Sequence, residues 1–211
     1  MVARGDGQDR MKVAGVILAG GRGSRMGGVD KALVPLGGQP MVAHVIARLG
    51  RQVGALALNA GGDPGRFAGF GLPVLPDPVP GQPGPLAGVL AGMRWAGAQG
   101  ASHVVTAATD TPFLPGNLVA RLQAAAEAAH APIALAESGG RLHPTFGLWP
   151  VTLAEDLELA LEAGTRKVAG WALGEGAVRV AFAAGPRDPF FNVNTPEELE
   201  TAERIWAEAQ G

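Results

Sequence analysis

The sequence predicts an α/β fold: a single Rossmann-like, three-layer domain whose mainly parallel, mixed sheet carries helices on both faces. Three observations lead there. Short apolar runs alternate with longer segments of helical period, the pattern of a sheet wrapped by helices. Four β–α units follow one another, which parallel strands require. Each early strand also delivers a polar residue at its carboxyl end, where open parallel sheets bind their ligands.

The elements follow in order. Val13–Leu18 reads as a buried strand, and Pro40 then opens a helix with Met41, Val45, Ile46 and Leu49 at helical spacing. Residues 55–58 form the next strand, ending at Asn59, and residues 73–75 another, ending near Asp77. Residues 86–98 read as a helix. His103–Ala108 is a strongly apolar strand running into Thr109, Asp110 and Thr111, and residues 117–129 return as a helix with Asn117 as N-cap. Further on, residues 133–137, 145–149 and 178–182 read as strands, and residues 151–163, 166–173 and 196–208 as helices. The turn Ser138, Gly139, Gly140 suggests a hairpin, so part of the sheet is expected to be antiparallel. The Pro- and Gly-dense stretch 76–88 would suit a domain linker, but a linker there would split the parallel run; an active-site loop is preferred.

Composition excludes several classes. A chain of 211 residues suits one compact domain, here residues 12–211, with residues 1–11 expected as a flexible lead. Lys and Arg total 17 against 19 acidic residues, a net charge of −2, so no global footprint for nucleic acid or an acidic membrane exists. Cysteine is absent, which removes disulfides, thiolate metal sites and cysteine nucleophiles. Neither a leader with an apolar segment nor a run of about 18 apolar residues is seen, and a cytoplasmic location is expected.

The stretch LAGGRGSRMGGVDKALVPLGGQPM, residues 18–41, lies between the first strand and its helix. Gly20, Gly21 and Gly23 would let backbone N–H groups approach a ligand, and with Arg22, Arg25 and Lys31 they suit a polyphosphate. It is not a Walker A loop, because Lys31 follows Asp30 and precedes Ala32. Nor is it a dinucleotide fingerprint, because Met26 stands where the third glycine belongs. The plain alternative is a surface turn with ordinary charges.

The string LAGGRGSRMG with DKALVPLGGQPM resembles the signature of nucleoside-triphosphate transferases. With GPLAG at 84–88, DTPFLP at 110–115, HPTF at 143–146 and FNVNTPEEL at 191–199, the chain resembles the molybdenum cofactor guanylyltransferase family, often called MobA, over nearly its whole length after residue 12. The resemblance implies transfer of GMP from GTP to the terminal phosphate of molybdenum-molybdopterin, with loss of pyrophosphate. Its N-terminal part would bind GTP and its C-terminal part the acceptor, and contacts with other cofactor-biosynthesis or insertion proteins are implied.

Residue by residue, the resemblance implies that Leu18, Ala19, Gly20 and Gly21 line the nucleotide and that Asn59 and Asp77 belong to its pocket. Arg25 and Lys31 would neutralise phosphate charge, and Asp110 would hold Mg²⁺. Asp110 is also conspicuous by itself, since a carboxylate ending the most apolar strand is costly unless partnered; the alternative is a turn or capping aspartate ahead of Pro112. Asn192 and Asn194 sit at alternate positions ahead of a helix start built from Thr195, Pro196 and Glu198; the resemblance places them near metal and acceptor. His143 stands between a structural role and an acceptor-phosphate contact. Arg166 and Lys167 resemble the family's basic pair for the acceptor, against a solvated helix face. His44, His103 and His130 lack metal-ligand spacing and read as structural. The rivals are a cytidylyltransferase or another nucleotidyltransferase with a sugar-phosphate or alcohol acceptor, and a non-catalytic nucleotide-binding regulatory protein.

Overall fold

The computed structural model describes residues 12–20, 30–79, 84–183 and 187–209. Gly21, Arg22, Gly23 and Arg25, and the centre of the 76–88 loop at 80–83, lie outside the described residues.

Seven strands form one sheet: β1 (Val13–Leu18), β4 (Leu56–Asn59), β5 (Val74–Leu75), β6 (His103–Ala108), β7 (Ala134–Ser138), β8 (Arg141–Pro150) and β9 (Val178–Phe182). A small separate hairpin, β2 (Pro35–Leu36) with β3 (Gln39–Pro40), follows β1 in the chain. In space the sheet runs β5-β4-β1-β6-β8-β7-β9. Strands β1, β4, β5 and β6 are parallel, β8 is antiparallel to both of its neighbours, and β7 and β9 are parallel to each other. β8 alone therefore runs against the rest, which is the mixed sheet expected. The β7–β8 turn has two residues, Gly139 and Gly140, at φ 54° and 76°. Such a tight hairpin needs two positive φ values, and glycine supplies them without strain.

Alternation along the strands sorts the apolar side chains into two layers. Ile17, Leu58, Val105 and Ala107 face α1 (Met41–Leu49) and α3 (Leu118–Ala129), burying Val42, Val45, Leu49, Leu118 and Leu122. Val16, Leu18, Val104 and Trp149 face α2 (Pro85–Ala98), α4 (Ala154–Glu162) and α5 (Val168–Gly174), with Leu90, Met93, Leu161 and Trp171 in the interface. A third, smaller cluster joins α6 (Pro196–Glu208) to the β2–β3 hairpin through Leu36, Met41, Val193 and Ala202. That cluster ties the end of the chain to the segment that carries Lys31. Among the described residues no helix is long and apolar enough to cross a membrane.

Four details differ from the sequence reading. The stretch 151–163 opens as a 3₁₀ turn at Val151–Leu153 before α4 begins, and α5 starts at Val168, leaving Arg166 and Lys167 ahead of it. Strand β8 is longer at both ends than residues 145–149, since its antiparallel partners hold it from Arg141 to Pro150. A 3₁₀ helix at Pro64–Phe70 fills the connection before β5. Finally, Asn117 occupies the N-cap position of α3 but makes no side-chain capping bond. Gln52, just past α1, takes that role: its Oε1 accepts from Val119 N–H at 3.1 Å, while Nε2 donates to the carbonyls of Arg48 and Pro115 at 3.0 Å each. Gln52→Ala is expected to cost about 1 kcal/mol, as loss of a helix cap typically does, with activity unchanged; urea unfolding beside a turnover assay checks both.

Candidate active site

The carboxyl ends of β1, β4, β5 and β6 lie side by side and bring their following residues to one edge of the sheet. Leu18 and Ala19 are buried there, and Gly20 is exposed. Ala19 N–H donates to Asn59 O at 2.8 Å and Thr109 N–H to Leu18 O at 3.3 Å, so the three loops leave the sheet in register.

Lys31 is presented by a short 3₁₀ turn, Lys31–Leu33. Asp30 caps that turn, accepting from Ala32 N–H at 3.0 Å through Oδ1, and its Oδ2 is held by Arg66 Nε at 2.7 Å. The Asp-Lys pair is thus a cap followed by the side chain it aims. The Lys31 ammonium donates to Asn194 Oδ1 and stands 3.8 Å from Asp110 Oδ2. Their separation in sequence is large, and a continuous segment closes it. Thr111 Oγ1 donates to Asn192 Oδ1 at 2.6 Å, Val193 N–H to Asp110 O at 2.8 Å, and Glu198 Oε2 accepts from the amides of Asn194 and Thr195 at 2.6 and 2.9 Å. Thr195 Oγ1 in turn accepts from Glu198 N–H, completing a capping box. The capping box explains Thr195 to Glu198, and it also fixes the extended path that sends Asn192 and Asn194 into the cluster.

Burial pushes the Asp110 carboxyl above the ordinary carboxylate range; Lys31, Thr111 and Asp110's own backbone bond oppose this, and Glu198 adds to it. A carboxylate this poorly solvated gains from any further positive charge. Among the described residues no three His, Cys, Asp or Glu converge, so the protein offers no cage of carboxylates. One desolvated carboxylate beside an amide oxygen, with the Lys31 ammonium already between them, is a donor set suited to Mg²⁺ held jointly with substrate phosphates and water.

A second cluster sits beside it. Asn59 is buried, and its Nδ2 donates to Leu75 O at 3.1 Å and to Asp77 Oδ1 at 3.0 Å. Asn59 therefore spends one amide proton fixing itself to the end of β5 and the other orienting Asp77. Against its other face lies Gly88 of α2; a Cβ there would come 2.3 Å from Asn59 Oδ1. Gly84 opens that helix at φ 81°, ψ −166°, a conformation only glycine adopts readily. The GPLAG string is thus a turn glycine and a packing glycine.

The acceptor-side residues divide. His143 is buried on β8 with Nε2 2.7 Å from Ser138 Oγ, and its ring stacks on Phe190 at 4.6 Å. Arg166 is exposed and donates through Nη1 to the carbonyls of Leu161 and Thr165, at the end of α4. Lys167 is exposed beside it, at the N-cap position of α5. The structure thus brings Lys31, Asp110, Asn192 and Asn194 together, pairs Asn59 with Asp77, and leaves Arg166 and Lys167 with no bond to either group. Sequence reasoning missed Thr111, Arg66 and Gly88 as parts of these clusters. For Thr111 the signal was present, in its place between Asp110 and Pro112; for Arg66 there was none. His44 bonds the Leu36 carbonyl and packs edge-on against Trp206, in keeping with a structural role.

Comparison with known proteins places the chain in a family. The family model described as MobA-like NTP transferase domain matches residues 15–177. A Cereibacter sphaeroides protein named molybdenum cofactor guanylyltransferase is 55% identical over 195 residues, covering 92% of this chain and 97% of its own. One of the same name from Bradyrhizobium sp. is 50% identical, with 92% and 93% covered. Among solved structures, the molybdopterin-guanine dinucleotide biosynthesis protein A of Archaeoglobus fulgidus superposes with a TM-score of 0.70 at 23% identity, over 92% of this chain and 99% of its own. A CMP:2-keto-3-deoxy-manno-octonic acid synthetase complexed with CTP gives 0.71 at 15% identity, over 94% and 99%. The last two establish the α/β nucleotidyltransferase fold and nothing finer. By the family match and by relatives at half identity over nearly its full length, the chain belongs to the MobA-like NTP transferases.

Proposed function

We infer that the protein is a molybdenum cofactor guanylyltransferase: it transfers GMP from GTP to the terminal phosphate of molybdenum-molybdopterin and releases pyrophosphate. The observation that carries this is the convergence of Lys31, Asp110 and Asn194 at the carboxyl edge of the sheet. The N-terminal half takes GTP. Leu18, Ala19, Gly20 and Gly21 line it, Asp77 offers an acceptor-only carboxylate to the donor groups of the nucleoside, and Asn59 holds Asp77 in place. Lys31 and Arg25 neutralise charge on the triphosphate. Asp110, with Asn194, would hold Mg²⁺, which when bound supplies positive charge to the phosphate oxygens on which charge builds up.

The acceptor phosphate is already ionised near neutral pH, so its oxygen attacks the α-phosphorus without a strong base from the protein. What the chain supplies is in-line placement and charge: Lys31 moves from Asn194 and Asp110 to the phosphates, and Thr111 keeps Asn192 directed at the acceptor. His143, Arg166 and Lys167 form the acceptor side, and the family resemblance adds contacts with other cofactor-biosynthesis or insertion proteins without assigning them a surface. No membrane or nucleic acid takes part, and the reaction is placed in the cytoplasm.

Parallel calorimetric titrations with GTP and CTP, with and without Mg²⁺, test the reading. GTP is expected to bind at least tenfold more tightly than CTP, the scale of about 1.4 kcal/mol in binding free energy, and Mg²⁺ to strengthen it. Preference for CTP would move the protein to the cytidylyltransferase branch. Tight GTP binding with no pyrophosphate release in the presence of loaded acceptor would make it a non-catalytic binder.

A further inference from the structure

The hydrogen-bond chain Asp188–Ser138–His143 runs from a half-buried carboxylate to two buried side chains, next in the chain to the segment already described, and its geometry fixes where protons sit. Asp188 Oδ1 accepts from Ser138 Oγ at 2.8 Å and from Phe190 N–H at 2.9 Å. An ionised carboxylate has no proton to give, so the single hydroxyl proton of Ser138 goes to Asp188. Toward His143, 2.7 Å away, Ser138 Oγ can then only accept, and the proton on that bond belongs to His143 Nε2. A neutral imidazole protonated at Nε2 has a bare lone pair at Nδ1. Among the described residues nothing is hydrogen-bonded to Nδ1, and no buried polar side-chain atom lacks a partner. Nδ1 is therefore not sealed in the core, although the ring as a whole is buried.

The ring itself is held by stacking on Phe190, which Phe146 and Phe182 also contact edge-on. Phe190 begins the segment that carries Asn192 and Asn194 to Asp110 and Lys31. The fixed imidazole and the reactive cluster thus share one length of chain.

We propose that Asp188 and Ser138 are positioning residues that lock His143 as the Nε2–H tautomer, so that Nδ1 receives a proton in common with the phosphate of the acceptor. The ligand end of this proposal rests on the guanylyltransferase reading; the tautomer does not. A lone pair cannot pair with a fully ionised phosphate. Binding therefore takes up one proton from water, which sits between Nδ1 and a phosphate oxygen, and the complex is held by that shared proton. The charged groups around the ring are Asp188 from the 188–190 loop and Glu137 on β7, which favour the imidazolium, and Arg141 on β8, which disfavours it; Arg179 on β9 is paired to Glu137 at 3.4 Å. Burial outweighs them and keeps the free ring neutral.

Nitrogen-15 spectra of the full-length labelled protein test the tautomer directly, with the His143 signals among four histidines identified by their loss in His143→Gln. The wild type is expected to show a protonated Nε2 and a bare Nδ1 at neutral pH. Ser138→Ala removes the acceptor and leaves the ring unlocked, its Nε2 and Nδ1 signals averaged between the two tautomers, whereas Asp188→Ala frees the Ser138 hydroxyl to donate to Nε2 and reverses the pattern. Asp188→Asn, whose amide oxygen still accepts, retains it. Inorganic phosphate, titrated through the millimolar range, raises the pH at which His143 protonates in the wild type and not in Ser138→Ala. In turnover, the acceptor KM of the wild type rises by up to ~10-fold per pH unit above neutrality while kcat changes little, the linkage of one proton, and Ser138→Ala flattens that slope. A wild-type ring protonated at Nδ1 overturns the proposal, and so does a His143 signal unmoved by phosphate. A correct tautomer and phosphate response with no pyrophosphate release from GTP and acceptor upholds the positioning and overturns the substrate assignment instead.

Discussion

Replacing Asp110 by asparagine abolishes nucleotidyl transfer and raises the melting temperature of the protein at neutral pH. The first half follows from the site: the substitution keeps shape and removes the carboxylate that stands 3.8 Å from the Lys31 ammonium and that is proposed to hold the metal. Loss of a single well-placed electrostatic group typically costs about 10²–10³ in rate, and under the proposed Mg²⁺ role of Asp110 loss of the metal would add to that. The second half follows from burial. The Asp110 carboxyl is pushed above its ordinary value of 3.8, so the folded chain holds that proton more tightly than the unfolded chain does. Stability then falls as pH rises from the unfolded value to the folded one, and the whole penalty is present above it. The neutral amide in the Asp110→Asn variant carries no such penalty. Melts of both proteins at acidic and neutral pH should show a gap that widens toward neutrality, beside a pyrophosphate-release assay near background. Wild-type-like turnover would remove Asp110 from the mechanism. A variant less stable at every pH would mean that attraction to Lys31 outweighs desolvation.

Such a trade of stability for function is also why Asp110 could be found in the sequence. A charge just past a buried, largely apolar strand contradicts its surroundings, and local contradiction of that kind tends to mark function. The sheet was legible for the related reason that its strands agree with theirs: Val13–Leu18 and His103–Ala108 pair over six residues each, are buried through their centres, and read as apolar runs, the second broken only by Thr106 after its opening histidine. The β2–β3 hairpin could not be read, because two-residue strands have no period to detect. The N-cap position of α3 is legible at Asn117, but the side chain that makes the capping bond is not, for a different reason. Asn117 has the right chemistry in the right position, but Gln52 comes from 67 residues away, and no local pattern reports a long-range partner. The same limit applies to the site. Lys31 and Asp110 could each be singled out, whereas the pairings Lys31–Asn194, Thr111–Asn192 and Ser138–Asp188 exist only because the 188–198 segment crosses the sheet edge. Sequence showed the parts of that segment as a capping box and two asparagines; their joint role required the fold.

The packing of Gly88 leads to the second large effect: Gly88→Ala should lower stability and weaken GTP binding together. A Cβ at this position would lie 2.3 Å from Asn59 Oδ1 and 2.7 Å from Leu18 Cδ2. Neither neighbour can give easily. Asn59 is pinned by Leu75 O and Asp77 Oδ1, and Leu18 is packed under α2. Either the helix moves off the sheet, or Asn59 rotates and releases Asp77. Overpacking of a tight core costs about 1–3 kcal/mol, which for a chain of this size lowers the melting temperature by roughly 2–4 °C per kcal/mol. Release of Asp77 should raise the Kd for GTP while leaving pyrophosphate binding unchanged, since Lys31 lies in the other cluster. Gly97→Ala provides the control. It sits on the same helix with only Val151 Cβ, at 3.8 Å, near its added methyl group, and is expected to be neutral or stabilising, since alanine is favoured over glycine in a helix by about 1 kcal/mol. The double variant Asn59→Ala with Gly88→Ala separates the two routes. If the clash is with Asn59, the pair is destabilised by less than the sum of the single changes, and GTP binding is no weaker than in Asn59→Ala alone. Strict additivity would place the strain on Leu18 and the helix–sheet contact, with Asp77 undisturbed.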